Sequence, residues 1–594
     1  MDINDQRELL DIATKSLCAV TTEMRVELIH VPKEIDRYIV ENLCLTADNT
    51  NFDSEVLSKR IDETFAKKKE LMGQLKATRV LAKAAQWNPE SPDEYEAKLD
   101  EIRAEETENM DAHALRTLIT RGLKGVAQVA NEAYAIGYED EGIDPFLQRV
   151  LQRTLKFTLS IGLLFNLAME VGGFGYRAMG LYDKAMTERY GAPKITNVEL
   201  GVRKHPGILV AGQDVRVLEC VLKAAEGTGV DVYTHDELMG AHAYPTLQNI
   251  DHFAGNYGGS NETQQADFES FNGPIIFAGS GLKEPLDSYK DRFYTAGPTG
   301  YPGVRHFDAD EDFFYDFSDV VEQAKTCEPP KELQKGEAVI GFAHDALYNM
   351  SDRITGGMKD NSIERIIAVI GTDGPDSLNE YYTRMAQLLP KNSAIMTAGS
   401  VQYRVNNLGL GTVLGIPRVM SAGQLSDMYS IAMTALKFQA DLEKYDLNGV
   451  PVTFVTAIND ERSLLSFLVL TYIGAKKINI GPQVPDFLTD NIFGIFQKNF
   501  NLQVVSDPEK DVEGFFAKKA PAADGEISTD MLIIDLIEKY PEAANILMSC
   551  GMSCVTCGAA LYESLAEACM VHGLDPDDVK EVLDHELGLV KDDA

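Results

Sequence analysis

Basic residues are scarce in this chain: 55 Lys and Arg stand against 92 Asp and Glu among 594 residues, a formal net charge of -37. Such a surface repels nucleic-acid phosphates and anionic lipid headgroups, which argues against a nucleic-acid partner. Long apolar runs are also missing. The longest, FTLSIGLLFNLAM (157–169) and LLSFLVLTYIGA (464–475), are too short to span a bilayer and carry polar residues, so they read as buried helices and no membrane insertion is expected. The start, MDINDQRELLDIATKSL, lacks the basic-then-apolar order of a secretory signal. Cysteine is sparse and uneven. Cys18, Cys44, Cys220 and Cys327 are scattered, whereas Cys550, Cys554 and Cys557 fall within eight positions and Cys569 follows. Without a secretory signal this is no disulfide scaffold, and a reduced, cytoplasmic setting is expected.

What is present is ordinary globular material, 44% hydrophobic and 25% charged, in a length that predicts about three or four domains. Up to about residue 203 apolar residues recur at helical spacing, as in ALRTLITRGLKGVAQVANEAYAIG. Within this region GGFGYRA (172–178) contains G-x-G-x-x-A. It follows a helical stretch where a dinucleotide fingerprint needs a strand, so it reads as a helix-to-helix junction. After Arg203 short apolar runs ending in small or polar residues alternate with helical patterns: GILVAGQD, VDVYTH, PIIFAGSG, AVIGFAHD, IIAVIGTDG, AIMTAGS, VTFVTAIND and KINIGP. That alternation predicts parallel sheets. The expected fold is multidomain: an N-terminal α-helical bundle (1–203), two Rossmann-like α/β domains with parallel sheets (204–350 and 351–516), a linker (517–526) and a small C-terminal helical domain (527–594).

Ligands of parallel α/β sheets bind beyond the carboxyl ends of the strands, so His235, Gly281, Thr372, Ser400, Gln424 and Glu461 are expected to face strand-end crevices. Taken singly, each is also an ordinary turn residue. His242, His252, His306 and His344 read as packing or hydrogen-bonding residues.

In the tail, Ser528, Thr529 and Asp530 offer caps for MLIIDLIEKY, Gly551 suits a left-handed helix stop, and Asp575 with Pro576 can open the last helix. If Ser553 caps the helix after Gly551, Cys554 sits in a first turn, where free N–H groups and the helix dipole favour a thiolate. Cys557 then shares its face, as in C-x-x-C redox pairs. Cys550 is a candidate third thiol. A structural zinc, completed by Cys550 and either Cys569 or His572, and plain inert thiols are the alternatives.

The tail from ISTDMLIIDLIEKY to VKEVL, with Gly551, Met552, Cys554 and Cys557, resembles the hybrid-cluster-protein-associated redox disulfide domain. The stretches GVRKHPGILVAGQDVRVLECVLKAAEGTGVDVYTHDEL, HFAGNYG, YRVNNLGLGTVLGIPRVMSAGQLSDMYS and IGPQVPDFL are similar to the hybrid cluster protein (prismane) family, related to carbon monoxide dehydrogenase. That resemblance implies two iron–sulfur centres and reduction of hydroxylamine or nitric oxide. It also implies a hybrid cluster held by a histidine, two glutamates and four cysteines.

Carried over by motif, the histidine is His235, the glutamate positions hold Asp267 and Glu461, and the cysteine positions hold Gly281, Thr372, Ser400 and Leu425. With no thiolate at these positions, no cofactor is expected at the usual hybrid-cluster site. The remaining His235, Asp267 and Glu461 suit at most a mononuclear Fe, Mn or Zn ion.

The expected function is a redox or regulatory protein working through Cys554 and Cys557 on an unidentified redox protein partner. The alternatives are a reductase of hydroxylamine, nitric oxide or a similar small nitrogen compound, and a structural or assembly scaffold, with a homo-oligomer compatible with any of them.

Overall fold

The computed structural model describes all residues except 77–80, 108, 445, 518–526, 541, 553–562, 588 and 590–594. It divides into two compact units, Met1–Phe515 and Phe516–Ala594. Apart from Ala517, the expected linker lies outside the described residues, as do Cys554 and Cys557.

The first unit opens with helices Ile3–Val26, Lys33–Leu45, Ser54–Met72, Met110–Ala135, Ile143–Thr154 and Ile161–Tyr190. Acidic, amide and hydroxyl side chains start several of them: Asp2, Asp53, Asn109 and Ser160 each accept a backbone N–H of the first turn. Two parallel sheets follow. The six-stranded sheet runs, edge to edge, Phe253–Asn256, Asp231–His235, Gly207–Gly212, Ile275–Ala278, Phe293–Ala296 and Arg305–Phe307, parallel throughout. The eight-stranded sheet runs Thr196–Glu199, Glu337–Ile340, Val419–Gly423, Ser393–Ala398, Arg365–Gly371, Val452–Ala457, Asn479–Ile480 and Gln503–Val504. Only its first pair is antiparallel. The inner strands GILVAG, AIMTA and IIAVIG are buried at every residue, as expected where both faces of a parallel sheet are covered.

Two details depart from the sequence reading. Glu337–Ile340 falls within the 204–350 block, yet pairs with Val419–Gly423 in the other sheet, and Thr196–Glu199 from the helical block joins it there. GGFGYRA is not a junction: it lies inside the single 30-residue helix Ile161–Tyr190. Its glycines are needed for contact. A Cβ on Gly172 would sit 2.2 Å from the Leu468 carbonyl oxygen, and one on Gly175 would sit 2.5 Å from Leu465 Cδ1. Gly122 and Gly125 of helix Met110–Ala135 meet the same partner helix, Glu461–Tyr472, from another side. That helix is buried at every residue from Glu461 to Thr471, so tertiary contact overrides the low helix propensity of glycine.

The second unit packs helices Ile533–Lys539, Ala543–Ser549, Leu565–His572 and Pro576–Glu586 around Leu536, Leu547, Leu565, Cys569 and Leu583. Gly551 follows the second helix at φ +98° and Asp575 caps the last, as the sequence suggests. The first helix instead starts at Ile533 without a side-chain cap, because Ser528 accepts the Asp530 N–H within a preceding turn.

These contacts predict that Gly172→Ala destabilises the first unit by about 1–3 kcal/mol through overpacking. Gly494→Ala, in helix Asp490–Phe500 with open space around its Cβ position, is expected to be neutral or to stabilise by up to about 1 kcal/mol. Thermal denaturation of the two variants checks the contrast.

Candidate functional site

The loops leaving the carboxyl ends of strands in the two sheets hydrogen-bond to one another. The Leu425 N–H donates to Glu237 Oε2 (2.7 Å), and Gln424 Nε2 donates to the Gln213 carbonyl (2.8 Å). Tyr403 Oη donates to the Asp236 carbonyl (2.9 Å), and Ser260 Oγ donates to Asp373. The turns are sharp. Gly371 and Gly399, just before Thr372 and Ser400, have φ of +136° and +86°, and a Cβ on either would lie within 2.4 Å of a neighbouring carbonyl oxygen.

Thr372, Ser400 and Gln424 follow their strands within two residues, Gly281 lies three residues past Ala278, and Glu461 opens a helix four residues past Ala457. His235 closes its strand and is fully buried, with Nε2 3.1 Å from Asp267 Oδ2. Burial works against the Asp267 carboxylate. The His235 imidazole, the Gly259 amide (2.9 Å) and the Thr263 hydroxyl (2.6 Å) nonetheless hold it below the ordinary carboxylate range.

The four cysteine positions of the resemblance are bound into the same polar layer. Thr372 Oγ1 donates to Asp460 (2.9 Å), Ser400 Oγ accepts the Asp373 N–H (2.9 Å), and the Gly281 carbonyl accepts from Gln264 (3.2 Å). Leu425 contributes its N–H to Glu237.

Glu461 stands apart from the His235–Asp267 pair in its partners: Oε2 accepts the Asp48 N–H at 3.2 Å and Oε1 lies 3.4 Å from Arg121 Nε. Among the described residues no group of three or more His, Cys, Asp or Glu side chains is placed to hold a metal ion, so the expected His235, Asp267 and Glu461 set is not gathered. The remaining histidines behave as expected. His242 stacks on Phe253 at 3.7 Å, and His252, His306 and His344 bond to the Leu222 carbonyl, Thr295 and Ser430.

Several residues of this layer escaped the sequence reading. Asp236 is buried at φ +58°, a strained conformation for a residue with a side chain. Its carboxyl is pushed well above the ordinary range by burial and by Glu237, Asp373 and Asp460. Burial lifts Glu237 to about 7 against the pull of Arg462. Burial and Asp48 lift Glu461 to about 7 against Arg121 and Lys124. Arg462, next to Glu461, pairs with Glu132 of the helical bundle, whose carboxyl burial lifts to about 8. The available signal was charge at strand-to-helix junctions, as in THDEL and INDERS.

This geometry meets its relatives. Residues 1–513 match the model of the Prismane/CO dehydrogenase family, and residues 527–580 match Domain of unknown function (DUF1858). The chain belongs to the Prismane/CO dehydrogenase family. It is 40% identical over 510 residues to a protein named hydroxylamine reductase from Desulfovibrio desulfuricans, covering 86% of this chain and 94% of that one. A hydroxylamine reductase from Clostridium tetani is 38% identical over 542 residues, covering 86% and 95%.

Among solved structures, a Ni-free carbon monoxide dehydrogenase from Thermococcus sp. AM4 aligns with a TM-score of 0.53 at 15% identity, covering 86% of this prismane-family chain and 84% of the other. A structure titled for NiZn[Fe4S4] and NiNi[Fe4S4] clusters in the alpha subunits of acetyl-CoA synthase/carbon monoxide dehydrogenase aligns at 0.52 and 14%, covering 86% and 81%. These likenesses show the shared fold.

They also correct one expectation. The site was read as one without a cofactor, with a mononuclear Fe, Mn or Zn ion at most, whereas the names and titles of relatives and neighbours point to iron–sulfur clusters. The residues at the four cysteine positions, Gly281, Thr372, Ser400 and Leu425, offer no thiolate and do not fit a thiolate-held cluster. No helix among the described residues is long and apolar enough to cross a membrane.

A carboxyl whose folded pKa is raised contributes stability that is present below its unfolded pKa and is lost as pH rises through the folded value. For Glu132 that window runs from its ordinary range up to about 8. Wild type is therefore expected to lose on the order of 2 kcal/mol relative to Glu132→Gln between about pH 5 and pH 8. Paired denaturation curves at the two pH values check the difference.

Proposed function

We propose that this chain is a redox protein of the Prismane/CO dehydrogenase family whose thiol chemistry resides in Cys554 and Cys557 of the C-terminal unit, with a protein disulfide as its substrate. The burial of three of the four thiols in the first unit, Cys18, Cys44 and Cys220, is the observation that supports this reading; the fourth, Cys327, is half-buried. Cys18 and Cys44 are 0% and 2% exposed. Burial raises both thiols, Cys44 to about 12, and it raises Cys220 as well. Such thiols are poor nucleophiles because the thiolate is the reactive form. Of the second unit's described cysteines, Cys569 is buried in the core and raised by burial and by nearby Cys550. Cys550 is half-exposed at the end of helix Ala543–Ser549, directly before the C-x-x-C.

In the proposed step the Cys554 thiolate attacks one sulfur of the partner disulfide, forms a mixed disulfide and expels the other partner sulfur as a thiolate. The Cys557 thiolate then attacks Cys554 Sγ and expels the second partner thiolate. Two electrons pass to the partner, the pair becomes a Cys554–Cys557 disulfide, and an external dithiol returns it to the reduced state.

With dithiothreitol as donor and insulin disulfides as acceptor, Cys554→Ser is expected to abolish reduction, Cys557→Ser to trap a mixed disulfide, and Cys327→Ser to change neither. Full activity in Cys554→Ser would overturn the proposal. Iodoacetamide mass mapping should modify Cys554 at least about tenfold faster than Cys18 or Cys44.

The relatives' names favour a second reading, reduction of hydroxylamine or a similar small nitrogen compound such as nitric oxide. Hydroxylamine turnover by anaerobically prepared protein, undiminished in Cys554→Ser and tracking its iron and acid-labile sulfide content, would select that reading.

A further inference from the structure

Beneath the polar layer lies a cavity of about 30 Å³, bounded by the ends of strands Gly207–Gly212 and Ile275–Ala278 and by helices Lys33–Leu45, Met110–Ala135 and Glu461–Tyr472. Its lining includes Cys44, Gln128, Glu132, Gln213, Ser280 and Arg462. Three of these, Arg462, Ser280 and Gln128, are 2%, 4% and 7% exposed. Arg462 Nε and Nη1, Ser280 Oγ, Gln128 Oε1 and Glu132 Oε2 have no hydrogen-bond partner among the described residues. Arg462 Nη2 already pairs with Glu132 Oε1, but buried polar atoms like the remaining ones are ordinarily satisfied.

We propose that this cavity is a binding site for a small planar oxoanion of the formate type, held by Arg462 and Ser280. The donors decide the class of ligand. A free guanidinium N–H of Arg462 and the Ser280 hydroxyl offer two hydrogen bonds to an acceptor-rich molecule. Glu132 adds a donor near neutrality, since burial keeps its proton on up to about pH 8. Rotating the Gln128 amide exchanges its oxygen for the N–H2 group.

The other carboxylates nearby are already committed. Asp214 caps its helix by accepting the Arg216 and Val217 amides (2.8 and 3.0 Å), and Glu237 accepts the Leu425 amide. The volume admits about two waters or a three-atom anion, which excludes longer carboxylates. This proposal involves neither Cys554 nor Cys557, so its failure and the failure of the dithiol reading are distinguishable.

Titration of the full chain with 13C-formate, read by NMR line broadening, is expected to show saturable binding, with propionate failing to compete. Ser280→Ala removes a hydroxyl with no partner to lose on folding and is expected to weaken binding about fivefold with an unchanged melting curve. Arg462→Gln is expected to weaken it by more than about tenfold. The proposal is overturned if formate does not saturate, if propionate competes equally, or if folded Ser280→Ala binds formate as tightly as wild type. Should Arg462→Gln fail to fold, the Ser280→Ala result decides.

Discussion

The burial of helix Glu461–Tyr472 at every residue from Glu461 to Thr471 is the constraint on which the rest of the first unit depends. Glycines of two bundle helices let its backbone approach within contact distance, and its aliphatic residues, Leu464 to Leu470, fill the space between bundle and sheet. A helix held this way cannot swing its first turn toward water. Glu461 and Arg462, its first two residues, must therefore find partners inside, and each finds one in the helical bundle: Asp48 and Arg121 for Glu461, Glu132 for Arg462. Removing Glu132 would leave the buried Arg462 guanidinium without its partner, which costs more than losing an exposed ion pair.

The same economy governs the layer between the sheets. Residues at the four positions where the family resemblance implies cysteine are not loose ends; Thr372, Ser400, Gly281 and Leu425 each make a hydrogen bond across or along the strand-end loops. Two of those bonds reach carboxylates, Asp460 and Glu237, and a third binds the backbone of Asp373. The chain's own polar groups thus hold the loops in place, and close backbone approach fixes the strand-terminal turns at Gly371 and Gly399.

Most of this fold was legible in the sequence because its signals are local. Buried parallel strands announce themselves as short apolar runs, and GILVAG, IIAVIG and AIMTA form strands where those runs stand. What could not be read depends on contacts between distant segments. GGFGYRA looks like a helix break until Leu465 and Leu468 are placed against it. Arg462 and Glu132 are 330 residues apart, and neither is distinguished by its neighbours in sequence. The Glu337–Ile340 run reads correctly as a strand, but which sheet it joins is settled by pairing to Val419–Gly423 and Thr196–Glu199. For the site, strand-end logic located His235, Thr372, Ser400 and Glu461, while the division of His235 and Glu461 between different partners required the packed structure.

The electrostatics of the first unit bear on where thiol chemistry can operate. Burial holds the carboxyls of Glu132, Asp236, Glu237 and Glu461 above their ordinary range. A thiolate in the same interior would meet the same burial and the same negative neighbours, and Cys44 shows the result: burial and Glu132 raise its thiol despite Arg37 and Arg462 nearby. An interior that favours proton retention on acids is one that keeps thiols protonated. Chemistry requiring a thiolate is therefore better served by a separate unit, whereas the first unit's guanidinium and hydroxyl donors suit the binding of small acceptors.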